Sequence, residues 1–164
     1  MSEHTPHDPA RDAAMRRALE LAATCVDEQS GGPFGAVILR DGELIAEGQN
    51  RVTVSGDPTA HAEIVAIRRA CEQLGTFSLE GCELFSSCEP CPMCLGAISW
   101  AHLDRLYFAA SRHDAARAGF DDALFYAELA KPIEERALPT LQVLADEAWA
   151  PFAAWLANPD RTPY

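Results

Sequence analysis

The residues that most constrain the fold of this chain are one histidine and two cysteines, far apart in sequence, whose types suit a shared metal ion. They are His61, in the segment His61-Ala62-Glu63, and the two thiols of Pro90-Cys91-Pro92-Met93-Cys94. Cys91 and Cys94 are three residues apart, so in a helix they lie on one face and within its first turn. The fold therefore has to bring the two segments together.

Three protein ligands indicate a catalytic zinc site, because a structural zinc normally has four and a catalytic zinc keeps one position open for water. The positive end of a helix dipole helps to keep Cys91 and Cys94 ionised. Glu63, two residues from His61, is then placed to take a proton from water and to return it to a substrate. The alternative is a structural zinc site with Cys88 as fourth ligand. The expectation is one zinc ion per chain.

Hydrophobic periodicity and turn signals predict an alternation of helices and strands. Helices are expected over about residues 9–29, 59–74, 91–100, 121–130 and 151–156, and strands over 34–39, 44–48, 82–85, 106–109 and 141–144. Asp41-Gly42 marks a hairpin turn, so the first two strands are antiparallel. Alternating strands and helices then predict an α/β fold with a mixed sheet and helices on both faces. The length of 164 residues suits a single domain.

The charge of the chain argues against a nucleic-acid partner. There are 25 acidic and 13 basic residues, a formal net charge of −12, and the basic residues do not cluster. Such a field repels a polyanion, so a small neutral ligand fits better. No apolar run is long enough to span a membrane, and the polar N-terminus lacks a secretion signal. We expect a cytoplasmic protein without membrane association.

In a cytoplasmic protein the cysteines are expected to form no disulfides. Two of the six are the predicted zinc ligands. The other four are predicted to be small buried apolar residues: Cys25, Cys71, Cys82 and Cys88.

Four segments resemble the bacterial guanine deaminases of the cytidine-deaminase-like family, whose zinc pattern is H-x-E followed by P-C-x-x-C. They are residues 31–36 (Gly-Gly-Pro-Phe-Gly-Ala), 57–63, 86–94 and 118–122 (Ala-Gly-Phe-Asp-Asp). The likeness extends over nearly the whole chain. It implies a cytidine-deaminase-like three-layer α/β/α sandwich and hydrolysis of guanine to xanthine and ammonia.

The resemblance also implies which residues contact the purine: Asn50, Asp122, Phe34 and Trp100. The Asp122 carboxylate would accept hydrogen bonds from the N1–H and amino edge of guanine, whereas adenine has an acceptor at N1. Phe34 and Trp100 would stack on or wall the base. A homodimer is implied as well, in which the C-terminal tail, about residues 157–164, is exchanged and Tyr164 closes the partner's site.

Other functions remain open from the sequence. A tRNA adenosine deaminase shares the zinc pattern and the fold, although a tRNA binder should present a basic surface. Cytosine or an aminotriazine could be the substrate of a deaminase of this kind. A zinc module without catalytic activity, used for assembly, is the third class.

Overall fold

The computed structural model describes residues 8–164. A first compact unit extends to Asp122. Its elements are α1 (Pro9–Asp27), β1 (Gly35–Arg40), β2 (Glu43–Gln49), α2 (Val52–Ser55), α3 (Ala62–Leu74), β3 (Cys82–Cys88), α4 (Pro92–Trp100), β4 (Arg105–Ala110) and α5 (Arg112–Arg117). Asp8 is the N-cap of α1, because its side chain accepts a hydrogen bond from the Ala10 N–H.

The four strands form one sheet in the order β2-β1-β3-β4. Strand β1 is antiparallel to both β2 and β3, while β3 and β4 are parallel. The prediction of a mixed sheet is therefore confirmed. Strand β3 lies inside the sheet, so its C-terminal end, where the P-C-x-x-C segment begins, is held by neighbours on both sides.

Helices cover both faces of this sheet, as a three-layer α/β/α sandwich requires. On one face, α1 packs small residues and Leu21 against the strands, in a core of Ala14, Ala18, Leu21, Val37, Leu39 and Phe85. On the other face, α3 and α4 pack against Ala36, Ile38 and Leu84. The contacting residues of α3 are Ala62, Ala66 and Ala70, whose short side chains let the helix lie close to the sheet.

The close approach of α3 depends on Gly48 in β2. A Cβ atom at Gly48 would lie 2.0 Å from the Ala62 carbonyl oxygen and 2.6 Å from the Ala66 nitrogen. Both neighbours are backbone atoms, which cannot move away without shifting the helix. Gly48 thereby sets the position of the first turn of α3, which carries Glu63 and directly follows His61.

The second compact unit comprises Ala123–Tyr164. It contains α6 (Ala123–Leu129), a short 3-10 helix (Ile133–Glu135) and α7 (Trp149–Ala157), and none of the three has a buried residue. The single domain predicted for residues 1–164 stays a prediction. Within residues 8–164, no helix combines the length and the apolar character that crossing a membrane requires.

Several predicted element boundaries differ from the structure. The strand expected at 141–144 was wrong: Leu141, Val143 and Leu144 are exposed and in no regular element. Alternating apolar residues favour a strand only where a neighbouring strand supplies hydrogen bonds. Helix α3 begins at Ala62 rather than near 59, because Asp57 accepts hydrogen bonds from Thr59 in a turn.

The short helices α2 and α5 were not predicted, and β3 is longer than predicted. Neither helix has a buried residue, so neither shows an apolar period. Helix α5 is begun instead by reciprocal hydrogen bonds between Ser111 and Asp114. The prediction ended β3 at residue 85 because Ser86 and Ser87 are polar, although both are buried in the strand.

Candidate metal centre

The three predicted ligand residues lie at the N-terminal ends of two helices. His61 immediately precedes α3, Cys91 immediately precedes α4, and Cys94 is in the first turn of α4. The carbonyl oxygens of His61 and Cys91 accept hydrogen bonds from the N–H groups of Val65 and Leu95, respectively. These bonds form the first turns of the two helices. Backbone geometry therefore fixes both residues before any metal binds.

The donor atoms converge at a spacing that suits zinc. The Nδ1 atom of His61 is 3.6 Å from the Cys91 sulfur and 3.5 Å from the Cys94 sulfur. Tetrahedral zinc, with bonds of about 2.3 Å to sulfur and about 2.0–2.1 Å to nitrogen, places N and S about 3.6 Å apart. All three donors lie within 4.8 Å of one another, and in the described part of the chain no other such cluster occurs. The residues present therefore fit one zinc ion.

The two thiols and the imidazole are linked by hydrogen bonds that favour one thiolate. A hydrogen bond from Cys94, together with one from His61, lowers the pKa of Cys91 to about 4. The same bond to Cys91, with burial, raises the pKa of Cys94. The hydrogen bond to Cys91 raises the pKa of His61. Metal binding releases the protons that remain on the ligands.

Glu63 lies beside this cluster and is almost completely buried, with 6% of its surface exposed. Its Oε1 atom accepts a hydrogen bond of 3.1 Å from the Ser86 hydroxyl, and its Oε2 atom is 3.5 Å from the Cys94 sulfur. Burial raises the pKa of the Glu63 carboxyl above its ordinary value. A carboxyl group beside a metal site can serve as general base and general acid, accepting a proton and then returning it.

Cys88 is outside the donor cluster. It is the last residue of β3, it is buried, and its thiol donates to the Ser111 carbonyl at 3.7 Å. Burial raises the pKa of Cys88 to about 11, and its sulfur is not among the converging donor atoms. This geometry argues against a closed, four-ligand structural site. Cys25 and Cys82 are also buried, and Cys71 is half-buried.

Asn50 is buried, with its side-chain oxygen turned toward backbone donors. Oδ1 accepts hydrogen bonds from the N–H groups of Gly32, at 3.3 Å, and Val52, at 3.2 Å. The donor end of the amide therefore faces away from these groups. A Cβ atom at Gly31 would lie 2.5 Å from Oδ1, so only glycine fits beside Asn50.

Phe34 and Asp122 lie in the same compact unit. The Phe34 ring packs edge to face on Phe120, with centroids 4.9 Å apart and planes at 84°. Partial burial and the negative charge of Cys91 raise the pKa of the Asp122 carboxyl. The role of Asp122 in substrate binding stays a prediction.

Trp100 and Tyr164 are both largely exposed. Trp100 is the last residue of α4 and is 65% exposed. At about 1.5 Å per residue it lies about 13 Å along the helix from Cys91. Tyr164 belongs to the second unit and is 72% exposed. Their substrate roles stay predictions.

Three residues near the site were missed by the interpretation of the sequence: Ser86, Phe120 and Gly31. The available signal for Ser86 was a pair of hydroxyl residues that follows the apolar residues Leu84 and Phe85 in the same strand. Phe120 and Gly31 lie in loops, where nothing in the local pattern indicates which partner a residue contacts.

Comparison with protein-family models gives a match over residues 9–110 to the cytidine and deoxycytidylate deaminase zinc-binding region. The matched segment contains the whole sheet and the donor cluster.

Individual proteins are also similar to this chain. Guanine deaminase of Bacillus subtilis is 57% identical over 141 residues, which is 86% of this chain and 90% of that protein. The X-ray structure of a Bacillus subtilis guanine deaminase superposes with a TM-score of 0.91 at 53% identity, covering 93% of this chain and 98% of that one. A tRNA-specific adenosine deaminase of Agrobacterium fabrum is 47% identical over 56% of this chain and 62% of its own length.

Proposed function

The chain belongs to the cytidine and deoxycytidylate deaminase family of zinc-binding proteins, and we propose that it hydrolyses guanine to xanthine and ammonia. The similarity to the Bacillus subtilis guanine deaminase extends over most of both chains, whereas the similarity to the Agrobacterium fabrum tRNA-specific adenosine deaminase covers 56% of this one. Guanine is therefore the substrate that the comparisons favour. This reaction belongs to purine metabolism.

The observation that carries the proposal is the convergence of His61, Cys91 and Cys94 with the Glu63 carboxyl directly beside them. In our proposal the first three residues hold one zinc ion. Zinc supplies Lewis acidity, which lowers the pKa of a water molecule to about 7. Three ligands leave room for that water, as a catalytic site requires.

We assign the proton transfers to Glu63. Its carboxylate would take one proton from the attacking water and deliver it to a ring nitrogen of guanine, and would then pass the second proton, from the added hydroxyl, to the departing amine. The site suits this work because the carboxyl is buried, so its charged and neutral forms are closer in energy than they are in water.

The substrate would be held by Asn50, Asp122 and Phe34. Asn50 would present its amide N–H group to an acceptor on the purine, since its oxygen is already bound to the backbone. Asp122 would accept from the N1–H and the amino group of guanine, which adenine cannot match. The Phe34 ring, which packs edge to face on Phe120, would lie against the flat base.

The test is ammonia release by purified, zinc-loaded protein from guanine, guanosine, adenine, cytosine and an aminotriazine, with adenosine in a tRNA anticodon stem as a separate substrate. We expect turnover of guanine well above that of the other substrates. Deamination of the tRNA without activity on guanine would overturn the proposal in favour of a tRNA adenosine deaminase. The net charge of −12 makes that outcome unexpected.

Asp122 tests the specificity part of the proposal. Asp122→Asn should reduce the preference for guanine over adenine, because an amide mismatches part of the donor edge of guanine. A buried hydrogen-bond mismatch costs about 1–3 kcal/mol, or about 5- to 150-fold in kcat/KM. An unchanged ratio of the two kcat/KM values would remove Asp122 from substrate recognition.

We also propose a homodimer in which residues of one subunit complete the site of the other. The second unit exposes many large apolar side chains: Leu124, Phe125, Leu129, Ile133, Leu138, Leu141, Val143, Leu144, Trp149, Phe152, Trp155 and Leu156. Large exposed apolar patches are rare on soluble monomers and mark interaction sites. A second copy of the chain is the proposed cover, with Tyr164 closing the partner's site.

The proposed compartment is the cytoplasm. All six cysteines are free thiols, which suits a reducing environment. Fractionation of the source cells with an antibody to the chain would test this assignment.

A further inference from the structure

Ser86 occupies a position where a hydroxyl group is unusual. It lies in β3, paired with Ala36 of β1 on one side and Phe108 of β4 on the other, and only 2% of its surface is exposed. Alternate residues of a strand share a face, so Ser86 points to the same side as Cys82 and Leu84. That side is the apolar layer beneath α3.

A hydroxyl buried in such a layer is unfavourable unless it has a hydrogen-bond partner, by about 1–3 kcal/mol. The partner of Ser86 is the Oε1 atom of Glu63, at 3.1 Å. Glu63 is itself buried, so the two side chains form a polar pair enclosed between the sheet and α3. The Ser86 hydroxyl therefore donates its hydrogen bond to the carboxyl group that lies beside the proposed metal ligands.

The two oxygens of Glu63 have different surroundings. Oε1 is bound to Ser86, whereas Oε2 lies 3.5 Å from the sulfur of Cys94 and so faces the donor cluster. The terminal torsion of a glutamate side chain is broad, so the backbone and the first two torsions do not fix the plane of the carboxyl group. A hydrogen bond to one oxygen does fix it.

We propose that Ser86 is a positioning residue that holds the Glu63 carboxyl plane, so that Oε2 is the oxygen that takes and returns the proton. This inference rests on the proposed function, because it gives Ser86 a role only if Glu63 is the proton carrier. Removing the hydroxyl would take away the hydrogen bond at Oε1, so the buried carboxyl would be oriented less firmly. The cost falls on the chemical step rather than on substrate binding, since Ser86 is not among the residues proposed to contact the base.

The test compares Ser86→Ala with the wild type on guanine. Misplacing a reacting group by about 1 Å can lower a rate by about 100-fold. We expect kcat to fall by about 10- to 100-fold, with KM changed less than about twofold. Zinc content and the affinity for xanthine, measured by calorimetry, should stay at their wild-type values. Ser86→Thr, which restores the hydroxyl on a residue suited to a strand, should recover most of the lost kcat.

Ser87 provides the matched control, since it is buried next to Ser86 but its hydroxyl accepts a hydrogen bond from the Gly35 N–H. Ser87→Ala should lower the melting temperature while kcat stays near that of the wild type. Equal losses of kcat in Ser86→Ala and Ser87→Ala would mean that either hydroxyl acts only through stability, which contradicts the inference.

Glu63→Gln, alone and combined with Ser86→Ala, separates this inference from the proposed function. If Ser86 acts through Glu63, the second substitution should cause no further loss of kcat in the Glu63→Gln background. A further loss of the same factor would overturn the role of Ser86. Near-normal activity of Glu63→Gln would instead overturn the proposed function, whatever Ser86→Ala does.

Discussion

The proposed metal ligands show how much backbone position adds to side-chain chemistry. Spacing alone predicted His61, Cys91 and Cys94, because few residue types bind zinc and these three stand in the required pattern. The structure adds that His61 and Cys91 both directly precede a helix, which fixes the distance between their donor atoms. Ser86 could not be predicted in this way, since its importance depends on a contact across the fold.

Cys91→Ala should remove the zinc. The variant loses one of three ligands, and its neighbour Cys94 loses the hydrogen bond that pairs the two thiols. Elemental analysis of purified protein should then give far less than one zinc per chain. Cys88→Ala is the matched control, because Cys88 is a nearby buried thiol bonded to the Ser111 carbonyl, and it should keep its zinc. Full zinc occupancy of Cys91→Ala would show that the ligand set is wrong.

Among the elements, those with a buried face were predictable and those without one were not. Helix α1 and strands β1 and β2 follow their apolar patterns closely, because each packs against a core. Helices α2 and α5 have no buried residue, so their sequences show no helical repeat of apolar residues from which they could be predicted. The close approach of α3 to the sheet could not be predicted from the sequence either, because it depends on which atoms lie next to Gly48.

Gly48→Ala should disturb the metal centre from a distance. The added methyl group would meet the backbone of Ala62 and Ala66, so the first turn of α3 must move and carry His61 with it. Overpacking of this kind typically costs about 1–3 kcal/mol. We expect a lower melting temperature and weaker zinc retention during dialysis against a chelator.

Gly96→Ala is the control for this substitution. Gly96 lies in α4 with no atom near its missing Cβ, and alanine favours a helix over glycine by about 1 kcal/mol. Its melting temperature should stay equal or rise, with zinc retained. Wild-type stability and zinc retention in Gly48→Ala would mean that the approach of α3 does not depend on this glycine.

On the scale of the whole molecule, the two compact units differ in what they bury. The first has a core on each face of its sheet, whereas the helices of the second bury no residue. The fold of the first unit could be predicted because the apolar residues of its helices and strands pack against one another in these two cores. The failed strand at 141–144 belongs to the second unit, whose apolar residues have no core of their own.

The proposed exchange of the tail predicts the effect of deleting residues 158–164. These residues follow α7 and belong to no helix or strand, so zinc content and melting temperature should change little. Guanine turnover should fall several-fold or more, because a lid that excludes water from the base is lost. A deletion variant with wild-type turnover would show that the tail has no part in catalysis.

Mixing subunits shows whether the tail acts on the partner. A tail-deleted chain is combined with a full-length chain that carries Glu63→Gln. If the tail crosses over, a mixed dimer contains one intact site, made of the deleted chain's Glu63 and the other chain's Tyr164. Activity should recover in proportion to the mixed dimers counted by native mass spectrometry. Confirmed mixed dimers without any recovery would mean that the tail serves its own subunit.

The central claim, that a zinc-held site with Glu63 as proton carrier deaminates guanine, is tested most directly by the turnover of Glu63→Gln. Glutamine keeps the size of the side chain and can still bind Ser86, but it cannot accept and return a proton. We predict one zinc per chain, an unchanged melting profile and ammonia release from guanine reduced by about 10²–10⁴-fold. Release of ammonia at close to the wild-type rate by a fully zinc-loaded variant would contradict the account.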